Sequence, residues 1–348
     1  MNLQPGRYTY REIIGQSDAW SATLAAVEAQ IDDLRSWLDR PWAQVVFIGC
    51  GSTYYLALSA AAIWQALTGN QAQAAPASEL WLYSASSLPQ PPSLLTAISR
   101  SGETTETLRA VDAYHRLAGD DVLAVTCYSD CPLTVEATRV LIARHAEEDS
   151  VAQTRSFTSM LLLAQWAAAL ASSRDDYLDQ LRTLPSLGSQ IVDTYEELAQ
   201  RLGRDPHIER FVFLGSGANY GLACEAMLKM KEMSLSPSEA FHFLEFRHGP
   251  MSVVGPDMLI IGLVSETARE HEAAVLAEMR DLGAQVLAIA DSPDGLPADD
   301  VVALSSNLSD MARGPLMLPI LQLMAYYRAI DKGLNPDCPT NLEAVVRL

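Results

Sequence analysis

Apolar and polar positions alternate along this chain in blocks, and one block pattern occurs twice. "VFIGCGSTYYLA" (Val46 to Ala57) aligns with "VFLGSGANYGLA" (Val212 to Ala223), and seven of the twelve positions are identical. Each copy is an apolar, β-prone run, then Gly-x-Gly, then a stretch with helical periodicity. That order predicts a strand turning tightly into a helix. About fifty residues later each copy has a second apolar run ending in hydroxyls and acids, "LTAISRSGET" and "LIIGLVSET". A third run follows in each, "DVLAVTCY" and "QVLAIAD". Strands alternating with helices imply parallel sheets covered on both faces. The expected organisation is two α/β domains, 30–170 and 200–335. An N-terminal segment with a leading helix (1–29) precedes them, a helical connector (171–199) joins them, and a tail (336–348) follows. The longest apolar run, Met160 to Ala171, is too short to span a bilayer and reads as a buried helix.

Charge narrows the partners. A formal net charge of −19 disfavours nucleic acid and anionic membrane. It also requires any anionic ligand to be held by local hydroxyls, backbone amides and a few placed cations. The five cysteines are scattered and form no CxxC, which reads as reduced thiols in a cytoplasmic protein. The polar start "MNLQPGRYTYREIIGQ" lacks the apolar stretch of a signal peptide.

The Gly-x-Gly turns invite a dinucleotide reading, which the spacing opposes. The first lacks a third glycine, and the second runs Gly215, Gly217, Gly221, one residue too long. They serve better as turns that expose amides and hydroxyls to a sugar or phosphate. The stretch "SRSGETTET" (Ser99 to Thr107) strengthens that reading. Ser99, Ser101 and Thr104 surround Gly102 at a predicted helix start, where unpaired N–H groups and the positive dipole end favour phosphate. One N-cap needs one hydroxyl, and three exceed that need.

These residues resemble the phosphate-binding turn of SIS (sugar isomerase) domains. The whole chain looks like two SIS domains in tandem, as in the isomerase half of glucosamine-6-phosphate synthases and in related sugar-phosphate deaminases and deglycases. The resemblance runs through "YREIIGQSDAWSATL", "GCGSTYYLA", "EDSVAQTRSFT", "EAMLKMKEMSLSPSEAFHFLEFRHGPMSVV" and "LQLMAYYRAIDKGLNPDCPTNL". It implies an α/β fold of two tandem domains, each a parallel sheet flanked by helices on both faces. It implies sugar-phosphate binding at Ser52, Thr53, Ser99, Arg100, Ser101, Gly102, Thr104, Val151 and Gln153. Arg100 stands where the family usually has glutamine, either adding a cation near the phosphate or pointing to solvent, and Gln153 replaces a family serine.

For catalysis the resemblance assigns Glu232 to moving a proton between C1 and C2 of the sugar, with Lys229 orienting it or touching the substrate. Glu225, Lys229 and Glu232 share one helix face by spacing; unplaced, such a trio reads as a solvated salt-bridge face. His248 in "FRHGP" is assigned to ring opening, reaching the active site of a partner subunit in a homodimer. His115, His145, His207, His242 and His271 have no motif behind them. No metal or organic cofactor is implied.

The tail separates the possible reactions. The synthase-like tail carries a lysine that forms a Schiff base with the ketose, and here Ala344 takes that position within "NLEAVVRL". Without a glutaminase domain or a cysteine after Met1, glutamine-dependent synthesis is not expected. The expectation is an amino-sugar 6-phosphate deaminase/isomerase whose substrate carries its own nitrogen. A fructosamine-6-phosphate deglycase, a plain aldose–ketose isomerase and a non-catalytic sugar-phosphate sensor are the alternatives, in that order.

Overall fold

The structure, a computed structural model, describes residues 4–348. Residues 1–3 of the expected N-terminal segment lie outside the described residues. Two five-stranded sheets account for all ten strands among the described residues, and every strand pair is parallel. The first sheet contains β1 (Gln44–Gly49), β2 (Ala72–Pro76), β3 (Ser93–Ile98), β4 (Val122–Thr126) and β5 (Arg139–Ile142). The second contains β6 (Arg210–Gly215), β7 (Ser238–Phe241), β8 (Met258–Leu263), β9 (Gln285–Ala290) and β10 (Asp300–Ala303).

The first sheet runs β2-β1-β3-β4-β5, and the second runs β7-β6-β8-β9-β10. Both have the doubly wound order 2-1-3-4-5, so the sequence repeat is also a topological repeat. The register agrees. Phe47 pairs across to Ala74 and Thr96, and its counterpart Phe213 pairs to Ala240 and Ile261. In this order the strand direction of growth reverses between the first and third strands of each half. Ligands of open α/β sheets bind beyond the strand C-termini at that reversal.

The predicted strands are the central ones. β3, β4 and β8 are buried at every residue, as parallel strands covered on both faces must be. The edge strands β2, β5, β7 and β10 have partly exposed residues and carried no clear signal. On one face of the first sheet Val46, Ile48, Leu95 and Ala97 pack with Val111, Tyr114 and Leu133. The second sheet repeats this with Val212, Leu214 and Ile260 against Phe243, Val275, Leu276 and Met279. On the first sheet's other face Phe47 meets Trp64 edge-on at 5.9 Å. The helix Arg155–Ala171 is buried from Ser156 to Leu170, which explains its lack of a polar stripe. No helix among the described residues is long and apolar enough to cross a membrane.

The chain forms two compact units. One holds the first sheet: Gly15–Glu148, Arg155–Pro185 and Glu343–Leu348. The other holds the second: up to Ile14, Asp149–Thr154 and Ser186–Leu342. The leading helix is two helices, Arg7–Ile14 and Gln16–Glu28, separated at Gly15. The connector is one long helix, Asp175–Arg204.

Candidate active-site elements

In the unit of the first sheet, the turn after β1 uses its two glycines differently. A Cβ on Gly49 would lie 2.4 Å from the Thr53 carbonyl carbon, so this glycine permits close strand–helix packing. Gly51 faces open space but has φ +55°, a region that other residues rarely adopt. Thr53 closes the turn: its Oγ1 accepts from the Cys50 amide (2.9 Å) and donates to the Cys50 carbonyl (3.0 Å). Ser52, buried, starts the helix Ser52–Thr68.

The turn after β3 lies beside the first at the reversal point. Ser99 Oγ accepts from the Gly102 amide (3.1 Å) and lies 3.3 Å from Thr104 Oγ1. Ser101 Oγ accepts from the Glu103 amide (3.2 Å). Thr104 stands at the N-cap of the helix Thr105–Leu117 but makes no side-chain capping bond. Ordinary capping therefore does not explain its hydroxyl. Gly102 has φ +66°, and a Cβ there would meet Cys131 Sγ at 2.1 Å.

Arg100 does not point to solvent. It is buried, pairs with the buried Glu148 at 3.2 Å, and donates from Nη2 to the Ala344 carbonyl at 3.1 Å. Ser156 holds Glu148 from the other side through its amide (3.1 Å) and hydroxyl (2.5 Å). The segment Glu343–Leu348 docks on the same turn. The Thr105 amide donates to the Val346 carbonyl (3.4 Å), and Arg347 pairs with Glu103.

In the unit of the second sheet, the helix Ala218–Ser234 carries the predicted acid. Lys229 is fully buried and contacts both Glu225 (3.2 Å) and Glu232. The solvated-face reading fails: the side chains of Glu225, Lys229 and Glu232 are 0%, 1% and 12% exposed. Burial pulls the Lys229 pKa down, but the charges and hydrogen bonds of the two carboxylates outweigh it and leave it raised. Isolated, each buried ion would carry a desolvation penalty of several kcal/mol. The cluster survives because the charges are mutual partners.

His248 is exposed, and its amide donates to the Glu245 carbonyl at 3.0 Å. It lines a cavity of about 440 Å³ with Leu244, Arg247, Met251 and Glu278. Val151 and Gln153 lie on the segment Asp149–Thr154. The Val151 amide donates to the Asp337 carbonyl (2.9 Å), and Gln153 Oε1 is buried without a hydrogen-bond partner. Sequence reasoning missed the group that holds this segment. Glu12, completely buried, accepts from the Asp149 amide (2.6 Å) and from the Ser150 hydroxyl. A lone acid on an N-terminal helix gives no sequence signal for such a role. Lys332 is also engaged. Its Nζ donates to the Ser234 carbonyl (2.7 Å) and lies 3.3 Å from the Leu235 carbonyl and Ser236 Oγ.

Comparison with known proteins fits this architecture. The SIS domain model matches residues 40–170 and 207–326, together more than half of the chain. The glutamine–fructose-6-phosphate aminotransferase (isomerizing) of Pyrobaculum aerophilum is 31% identical over 351 residues, covering 97% of this chain and 57% of that protein. The chain spans about half the length of the curated relatives it matches. Glucosamine-6-phosphate deaminase from Thermotoga maritima superposes with a TM-score of 0.80 at 26% identity, covering 98% of this chain and 100% of that one. Tagatose-6-phosphate ketose/aldose isomerase from Escherichia coli gives 0.85 at 25% identity, covering 97% of each. A fold written twice in one sequence is here one domain used twice, and the chain belongs to the SIS domain family.

Proposed function

We propose that this chain is a phosphosugar enzyme that converts an aldosamine 6-phosphate to a ketose 6-phosphate and ammonia. One observation carries the reading: a carboxylate–lysine–carboxylate cluster is buried where the sister helix is uncharged. By the repeat, Glu225, Lys229 and Glu232 correspond to Ser59, Ile63 and Ala66. A duplicated fold stands without these charges in its other half, so their burial points to chemistry.

In the proposed reaction the phosphate binds the hydroxyls of Ser99, Ser101 and Thr104, with Ser52, Thr53, Val151 and Gln153 contacting the sugar. His248 opens the ring by exchanging a proton with the ring oxygen, and in this reading it serves a neighbouring copy in a homodimer. Glu232 removes the C2 proton of the open-chain 2-amino aldose, giving an enolamine. It returns the proton to C1, giving a ketimine. Water adds to the ketimine carbon, and ammonia leaves. Lys229 holds the Glu232 carboxylate in place.

The C1 aldehyde takes up the electron pair as C2 loses its proton, and the substrate's own nitrogen becomes the imine as its N–H proton is exchanged for one on O1, so no enzyme imine is required. Two features support this. No lysine occurs between Asn341 and Leu348, and the Lys332 amine is engaged by Ser234 and its neighbours. Glutamine-dependent transfer is therefore not part of the proposal. The likeness to the E. coli isomerase favours a second reading, in which the same proton shuttle acts on a sugar without nitrogen.

The test is turnover on a panel of amino-sugar 6-phosphates, fructosamine 6-phosphates and ketose 6-phosphates. Ammonia, amino-acid and ketose–aldose products are followed separately. Ammonia release from an aldosamine phosphate is expected. Glu232→Gln is expected to lower kcat by ~10²–10⁴-fold with little change in KM. Full activity in that variant would remove Glu232 from the mechanism.

A further inference from the structure

The second sheet has its own turn at the reversal point, after β8, and it closes with the same local bond as the first. Ser265 Oγ accepts from the Ala268 amide at 3.1 Å, as Ser99 Oγ accepts from Gly102. Between these positions the Glu266 and Thr267 amides point at one acceptor, the carboxylate of Asp310. Glu266 N–H donates to Oδ1 (2.9 Å), Thr267 N–H to Oδ2 (3.0 Å), and the Thr267 hydroxyl to Oδ2 (2.7 Å). Two adjacent amides and a hydroxyl on a two-oxygen anion are the contacts that such a turn offers a phosphate. Arg313 supplies the countercharge. It is 1% exposed, its Nη2 pairs with Asp310, and its Nε has no acceptor. A cavity of about 190 Å³ adjoins the carboxylate, lined by Ser216, Asn219, Ser265, Thr267, Asp310 and Met311.

Asp310 stands four residues before the helix Gly314–Asp331. The first half has Val151 at the matching place, four residues before the helix Arg155–Ala171. The acid therefore belongs to the second half alone. We propose that Asp310 is a specificity-determining residue, an internal anion that fills the second turn so that the chain takes one phosphate group, at the Ser99–Thr104 turn. An attached carboxylate already in place competes at high effective concentration against any free anion. It also brings one negative charge beside Glu266 and Glu272, where phosphate would bring about two. The count of one rests on the reading of the first turn given above. The filling of the second turn does not.

Inorganic phosphate is the probe, used with four full-length chains: wild type, Ser101→Ala/Thr104→Ala, Asp310→Ala, and the triple variant. Calorimetry gives stoichiometry, and the phosphate-dependent rise in Tm gives an independent readout. Expected values are one phosphate per chain for wild type, none for the double variant, two for Asp310→Ala and one for the triple. The decisive pair is double against triple, since both lack the first turn. A triple variant with native circular dichroism and no phosphate response overturns the proposal. So does a double variant that still binds phosphate and loses it on Thr267→Ala. If wild type binds none while Asp310→Ala binds one, the first-turn reading fails and the internal anion stands. Folding of Asp310→Ala only when phosphate is present counts as the expected gain. If neither Asp310→Ala nor Asp310→Ser folds with or without phosphate, phosphate cannot replace the carboxylate, and the proposal is wrong.

Discussion

The two halves of this chain have the same strand order and the same glycine turns, yet they keep their polar groups in different places. The first half keeps neutral hydroxyls on the turns and an uncharged helix, Ser52–Thr68. The second puts two carboxylates and a lysine on the matching helix, Ala218–Ser234, and an acid against its turn. The lesson concerns what a duplicated scaffold constrains. Backbone geometry needs the glycines, so both copies retain them. Burial tolerates either Ile63 or Lys229 at one topological position, provided the lysine brings its own counterions.

Breaking that balance should give the largest effect. Lys229→Met leaves Glu225 buried without its cation and is expected to destabilise the fold by ~3–5 kcal/mol. Urea denaturation checks it. Giving the helix its sister's residues, Glu225→Ser with Lys229→Ile, should recover most of that stability while activity stays lost. A double variant as unstable as the single one would mean that charge compensation is not what holds this helix.

The second test compares the turns. Gly102→Ala must place a Cβ at positive φ against Cys131, whereas Ala268 sits at φ −120°. The left-handed conformation alone costs ~1–2 kcal/mol, and the contact adds to it. Ala268→Gly should lose only ~0.4–1 kcal/mol through the unfolded chain. Equal losses would show that the two turns are not differently constrained.

The smallest effect is in pH. Burial pushes the Asp310 carboxyl up, but the Glu266 and Thr267 amides, the Thr267 hydroxyl and Arg313 outweigh it and hold it below the usual carboxylate range. A lowered folded pKa contributes stability that is present above the unfolded value of about 3.9 and lost as pH falls through the folded value. The Tm gap between wild type and Asp310→Asn should be steady near neutral pH and close on acidification. A gap that widens toward acid would contradict this carboxylate's role. No comparable change is expected for Ser101→Ala, which alters no titrating group.

The local facts were legible in the chain. The repeat at Val46 and Val212 predicted two strand–turn–helix units, because glycine spacing and apolar runs are properties of neighbouring residues. The hydroxyl excess at Ser99, Ser101 and Thr104 was visible for the same reason, and i, i+3, i+4 spacing placed Glu225, Lys229 and Glu232 on one face. Only tertiary structure decided that this face is buried rather than solvated, since burial depends on what packs against a helix. It also decided that Arg100 pairs with Glu148 rather than facing water, that Glu12 holds the segment of Val151, and that Asp310 fills the second turn. Asp310 lies 44 positions from Glu266 and Glu12 lies 137 from Asp149. Contacts at such separations leave no periodic trace in a single sequence, because the chain between them can take any path that closes the sheet.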